Sequence, residues 1–149
     1  MKKKICVVTS CGGHLTEVRL LAPAYKEYPH FYVLNDKAIL PDDMKNKTYF
    51  ITHAERNWKV LINFWEAFQI FWKERPSLVI STGAGLIVPI AIVGKYLFRA
   101  KILYVESFAS VEKPTLTGHL MYYLTDYFYY QWPELKSYFP KGECIEPLL

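Results

Sequence analysis

An α/β fold, a doubly wound parallel sheet of Rossmann-like type, is what three features of the sequence predict. Short runs rich in β-branched and aromatic residues alternate with helical-period segments through brief connections, the pattern of a parallel sheet. The first run, Val7-Val8-Thr9-Ser10, passes through Cys11-Gly12-Gly13 into a helix opening at His14, a strand–turn–helix unit. The chain has 149 residues, 52% hydrophobic and 21% charged. That is enough for one globular domain, 1–149, with a real core.

The elements follow in order. Residues 4–10 read as strand one, apolar enough to be covered on both faces. Residues 14–25 form helix one, with Leu15, Val18, Leu21 and Ala22 on one side and Pro29 closing the turn. Strand two is 30–35, followed by a polar loop, 36–46, that contains Pro41. Strand three is 47–51. Asn57 is placed to cap a long helix, 58–74, which Pro76 stops. Strand four is 77–81, and Gly83 and Gly85 make the turn into a hydrophobic helix, 86–98. Strand five, 101–105, ends on Glu106. A loop with Pro114 leads to a helix at 116–125, strand six at 126–131 and a last helical turn opened by Pro133.

In such sheets ligands bind beyond the carboxyl ends of the strands, where the strand order reverses. With the order 3-2-1-4-5-6, strands one and four flank that crevice, and the chemistry falls on loops 11–16, 82–86 and 106–110. The first loop holds Gly12, Gly13, His14 and Thr16. A glycine turn at a helix N-terminus suits phosphate, and His14 there serves as hydrogen-bond donor or general base. A tight turn in which His14 merely caps or packs is the plainer alternative. The second loop, Ser81-Thr82-Gly83-Ala84-Gly85, offers hydroxyls and close backbone approach to a diphosphate or sugar, though helix–sheet packing also selects small residues. Glu106 at the end of strand five either orients a sugar hydroxyl or acts as base, or equally caps the loop that follows.

Composition removes several classes. The net charge of +4 is mild, and no basic run with interleaved aromatics marks a nucleic-acid face. Lys2, Lys3 and Lys4 supply much of that charge and suit an anionic surface. Cys6, Cys11 and Cys144 fit no metal spacing, Asp42-Asp43 is not an Asp-x-Asp motif, and neither metal nor cofactor is expected. No signal peptide is legible, and the longest apolar run, 84–94, is short of the ~18 residues of a spanning helix. The helix at 58–74 is unusual. Trp58, Leu61, Trp65, Phe68 and Trp72 form one stripe, while Lys59, Asn63, Glu66, Gln69 and Lys73 leave only a narrow polar band. The stripe belongs either to a core helix with a broad apolar face or to a membrane interface.

Glu106-Ser107-Phe108, Leu116-Thr117-Gly118 and Gln131-Trp132-Pro133-Glu134-Leu135 together carry a resemblance. The chain resembles the membrane-recruiting subunit of the two-part N-acetylglucosaminyltransferase that extends dolichol-linked glycans, most closely its bacterial homologues in exopolysaccharide and capsule synthesis. The resemblance spans nearly the whole chain. It implies the N-terminal, acceptor-side half of a GT-B glycosyltransferase, with the nucleotide-sugar half on a separate small subunit and activity only as a complex. It also implies a UDP-sugar donor, a polyprenyl-diphosphate-linked acceptor and peripheral attachment to the cytoplasmic face of the cell membrane. Gly12, Gly13 and His14 would then face the acceptor phosphate and reacting hydroxyl, Ser81 to Gly85 would complete that wall, and Glu106 would sit across the cleft. Ser110-Val111-Glu112-Lys113 stands where relatives carry a more basic segment. The end of the chain at Leu149 leaves no room for a donor domain, in keeping with half an enzyme.

Three other readings remain open from the residues alone. A complete small enzyme would need both donor and acceptor sites in this one domain, and the purified chain alone would turn over substrate. A scaffold anchoring a catalytic partner would tolerate loss of His14. A dinucleotide-binding module would need a ribose-binding acid after strand two, near Asp36, but adjacent glycines followed by His fit that role poorly.

Overall fold

The computed structural model describes residues 3–35, 39–54 and 57–149. The expectations placed on Lys2 and Asp36 lie outside these residues. Among the described residues, seven strands form one sheet: β1 (Ile5–Val8), β2 (His30–Asn35), β3 (Thr48–Ile51), β4 (Leu78–Ser81), β5 (Lys101–Val105), β6 (Tyr127–Tyr130) and β7 (Glu143–Cys144). Every pairing is parallel, and the order is β3-β2-β1-β4-β5-β6-β7. The expected order of six is therefore observed. β7 is an addition at the edge, too short at two residues to leave a hydrophobic period in the sequence.

The helices are α1 (Gly13–Leu20), α2 (Ala22–Tyr25), α3 (Val60–Glu74), α4 (Ile87–Phe98) and α5 (Leu116–Leu124). The single helix expected over 14–25 is broken at Leu21, because Pro23 has no N–H to continue the ladder and instead opens α2. α3 starts two residues later than expected. Asn57 still caps it in part, its Oδ1 accepting from the Lys59 N–H at 3.0 Å. Arg75 and Arg99 close α3 and α4 in the left-handed conformation.

Alternation along β1 divides the core. Cys6 and Val8 face a large cluster with Phe71, Ile90, Tyr104 and Phe139, roofed by α3, α4 and α5. Ile5 and Val7 face a smaller one with Val18, Tyr25, Leu34 and Met44, roofed by α1 and α2. The second roof stops short. Over β4, β5 and β6 the sheet carries an open apolar groove of about 420 Å³ lined by Leu78, Ile80, Leu103 and Tyr127. Parallel sheets are ordinarily covered on both faces, so this half-bare face is an unusual feature.

The polar band expected on α3 divides: Lys59, Gln69 and Lys73 are exposed, while Asn63 and Glu66 turn to the protein. Asn63 is buried, its Nδ2 donating to the Thr52 carbonyl at 2.8 Å, and Glu66 accepts from the Thr52 N–H and hydroxyl. These polar groups tie α3 to the end of β3. The tryptophans are left outside. No helix among the described residues is long and apolar enough to cross a membrane.

Candidate active site

β1 and β4 are adjacent at the reversal of strand order, and β5 lies beyond β4, so their carboxyl ends set three loops side by side. Gly12 caps α1 at φ 89°, a conformation that side chains avoid, and its carbonyl accepts from Leu15 and Thr16. No atom lies within 4 Å of where a Cβ would stand on Gly12, Gly13 or Gly85. These three positions line open space at the start of α1 and α4, with Thr16 exposed beside them.

The second loop spends its hydroxyls internally. Ser81 Oγ donates to the Gly83 carbonyl at 2.9 Å, and Thr82 Oγ1 donates to the His14 carbonyl at 3.0 Å. Both side chains are fully buried. Ser81 and Thr82 thus shape the wall and fasten it to the first loop, and offer backbone to a ligand. Gly83 lies directly against the His14 ring: a Cβ there would stand 2.6 Å from Nδ1 and overlap Cε1.

His14 is turned so that Nδ1 points inward and is buried without a hydrogen-bond partner, while the side chain as a whole stays 31% exposed. The carboxylate of Glu17 approaches Nδ1, with Oε2 at 3.5 Å. Sequence reading passed over Glu17. The available signal was its spacing, three residues beyond His14 on one helix face.

Glu106 is also brought to this edge, but below the surface. Its carboxylate accepts from the Ser107 N–H at 2.9 Å and from the Thr115 hydroxyl at 3.0 Å, and Gly118 leaves room for it where a Cβ would overlap Oε2. Burial pushes its pKa up, against the pull of those hydrogen bonds. With no exposed surface, Glu106 fits the capping alternative: it fixes the loop and, through Thr115, the cap of α5.

The motif near the chain's end braces the same loop. Gln131 Nε2 donates to the Glu106 carbonyl at 2.9 Å and Trp132 Nε1 donates to the Phe108 carbonyl at 2.6 Å. The Phe108 N–H, in turn, donates to Glu17 Oε1, joined by the Ser107 hydroxyl at 3.4 Å. Of the residues that carried the resemblance, Ser107 and Phe108 thus hold Glu17 on α1, and Gln131 and Trp132 brace them.

Apart from this cluster, Trp58 just before α3 and Leu61, Trp65 and Trp72 on it are exposed by 61–70%, and Phe68 stacks on Trp65 and packs at a tilt against Phe98. Arg75 lies over the Trp72 ring at 4.5 Å. The core alternative for this stripe holds only for Phe68.

A family model described as "Oligosaccharide biosynthesis protein Alg14 like" matches residues 46–148. The chain belongs to the Alg14-like family. A human relative of that family, "UDP-N-acetylglucosamine transferase subunit ALG14", is 32% identical over 93% of this chain and 79% of its own length. The Schizosaccharomyces pombe Alg14 subunit is 34% identical over 58% of this chain and 40% of its own. Among solved structures, MurG of Acinetobacter baumannii superposes with a TM-score of 0.79 at 14% identity, covering 97% of this chain and 45% of MurG. A UDP-N-acetylglucosamine 2-epimerase from Rickettsia bellii follows the same fold, with a TM-score of 0.72 at 12% identity over 94% of this chain and 42% of the epimerase. This Alg14-like chain has the fold of the N-terminal half of a GT-B glycosyltransferase and spans under half the length of those two proteins.

Proposed function

We propose that this chain, acting as one acceptor-binding domain over 1–149, is the membrane-associating subunit of a two-component glycosyltransferase. In this reading it moves a sugar from a UDP-sugar to a polyprenyl-diphosphate-linked acceptor, in exopolysaccharide or capsule assembly at the cytoplasmic face of the cell membrane. The observation that carries the reading is His14, held at the first turn of α1 beside the open positions Gly12, Gly13 and Gly85. The acceptor diphosphate lies along the first N–H groups of α1, where backbone donors and the helix dipole favour an anion. Thr16, Gly83 and the backbone of 81–85 complete that wall.

The acceptor hydroxyl oxygen attacks the anomeric carbon of the donor sugar and its proton passes to His14 Nε2. The bond from that carbon to the UDP oxygen breaks, and UDP leaves with the electron pair. Glu106 supports the loop and touches neither partner. The donor sits on the second subunit, a division supported by the naming of the Alg14 relatives as transferase subunits. The bare half of the sheet supports a partner too, since an apolar face over β4–β6 is costly to leave in water.

Membrane association rests on α3. It follows the carboxyl end of β3, so Trp58, just before the helix, and Leu61 and Trp65 in its first half lie toward the same edge of the sheet as His14. A lipid-anchored diphosphate then reaches the site while those rings sit at headgroup depth.

Reconstitution tests the reading. The chain alone should show negligible transfer from UDP-sugar to a polyprenyl-diphosphate acceptor, and turnover should appear when a donor-binding subunit is added. Robust transfer by the chain alone, unchanged by that subunit, would contradict it.

A further inference from the structure

The most conspicuous unsatisfied polar atoms near the site face each other. His14 Nδ1 and Glu17 Oε2 are both buried, both lack a hydrogen-bond partner, and stand 3.5 Å apart. Two buried polar groups without partners are costly, and one proton shared between them satisfies both. A carboxylate only accepts, so the proton belongs on Nδ1 and the lone pair on Nε2. The separation is longer than a good hydrogen bond, and such contacts commonly tighten when substrate binds.

The rest of Glu17 is built for this. Its Oε1 is taken by the Phe108 N–H and approached by the Ser107 hydroxyl, which fixes the carboxylate plane and leaves Oε2 for the imidazole. Phe108 is fixed by Trp132, and Thr82 holds the His14 carbonyl while Gly83 lies bare beneath the ring. The imidazole is therefore pinned from three loops.

We propose that Glu17 is the positioning residue of this site, holding the Nδ1–H tautomer of His14 so that Nε2 presents its lone pair to the acceptor hydroxyl. The proposal rests on the reading of His14 as base, and its test separates the two. Glu17→Gln is the informative variant. The Gln carbonyl oxygen replaces Oε1 as acceptor for Phe108, which turns the amide –NH₂ toward Nδ1. Nδ1 must then accept, the proton moves to Nε2, and the ring can no longer take the acceptor's proton although its shape is unchanged.

The measurement is a long-range ¹H–¹⁵N spectrum of the full-length ¹⁵N-labelled chain, with the His14 signals assigned by their loss in His14→Gln. The wild type should show the Nδ1–H tautomer and Glu17→Gln the Nε2–H tautomer. In the reconstituted complex Glu17→Gln should lower kcat by about 10²-fold or more with KM little changed, the order expected when a general base is disabled. An Nε2–H tautomer in the wild type overturns the proposal without any variant having to fold. So does a well-folded Glu17→Gln complex with normal turnover where His14→Ala has none. If both variants turn over normally, the base reading of His14 has failed, and the positioning role fails with it.

Discussion

Phe108 donates its backbone N–H to the carboxylate of Glu17, a residue 91 positions earlier in the chain. That bond fastens the loop after β5 to the first helix, and Trp132 fastens the same loop from the other side. The site's rigidity is thus assembled from three distant segments. Trp132→Phe keeps the ring that packs on Phe108 and removes only the indole donor. Leaving the Phe108 carbonyl without its partner should cost about 1 kcal/mol, read as a lower urea midpoint at unchanged slope. Turnover of the complex should fall as well. An unchanged midpoint would mean that the loop holds itself.

Gly83 gives a sharper steric test. Its φ of 137° is hostile to side chains, and a Cβ would invade the His14 ring. Gly83→Ala should displace the imidazole and lower turnover at least tenfold, with a loss of stability of roughly 1–3 kcal/mol from backbone strain. Gly85→Ala, whose Cβ meets nothing, should be far milder in stability and affect mainly acceptor binding. Equal effects at the two glycines would contradict this arrangement.

Much of the fold was legible because strand and helix periods alternate cleanly and glycine or proline marks the junctions. The strand order and the crevice between β1 and β4 followed from topology rules. What the sequence hid were effects of distant contacts. Glu106 leaves a base and a loop cap equally open until Thr115 and Gly118 are folded over it. Glu17 carries no signal in the sequence beyond its spacing from His14 until Phe108 arrives. Asn63 and Glu66 looked like a polar band because nothing local reveals that Thr52 needs them. The tryptophans of α3 were ambiguous for the same reason: a helical wheel gives the stripe but not which stripe the sheet takes.

Two glutamates, Glu106 buried and Glu74 half-buried, should give opposite pH signatures. Burial pushes the Glu106 pKa up beyond what its hydrogen bonds recover. Its advantage over Glu106→Gln should be full below the unfolded glutamate range and shrink as pH rises through the raised folded value. Glu74 is also pushed up by burial, but hydrogen bonds from Lys4 and Tyr49 together hold its carboxyl below the ordinary value. Its advantage over Glu74→Gln should be full above that range and vanish as pH falls through the lowered folded value. Urea midpoints across a pH series check both, and slopes of the same sign would contradict these assignments.

Trp58 and Trp65 are largely exposed, so Trp58→Ser with Trp65→Ser should change stability by only about 0.5 kcal/mol per site. The same double variant should lose binding to anionic vesicles, and wild-type binding should weaken with salt. A wild type indifferent to vesicles would remove the membrane role from this face.

The most direct test of the central claim is steady-state turnover of the reconstituted pair with His14 replaced. His14→Ala should lower turnover by about 10²–10⁴-fold, the usual range for loss of a general base, and His14→Asn should rescue little because it lacks basicity. Circular dichroism should show both variants folded, and the second subunit should still bind. Recovery of activity by Asn, with the defect confined to acceptor affinity, would make His14 a phosphate donor. Near-normal turnover by a folded His14→Ala complex would contradict the account and leave the chain as an anchor for its partner.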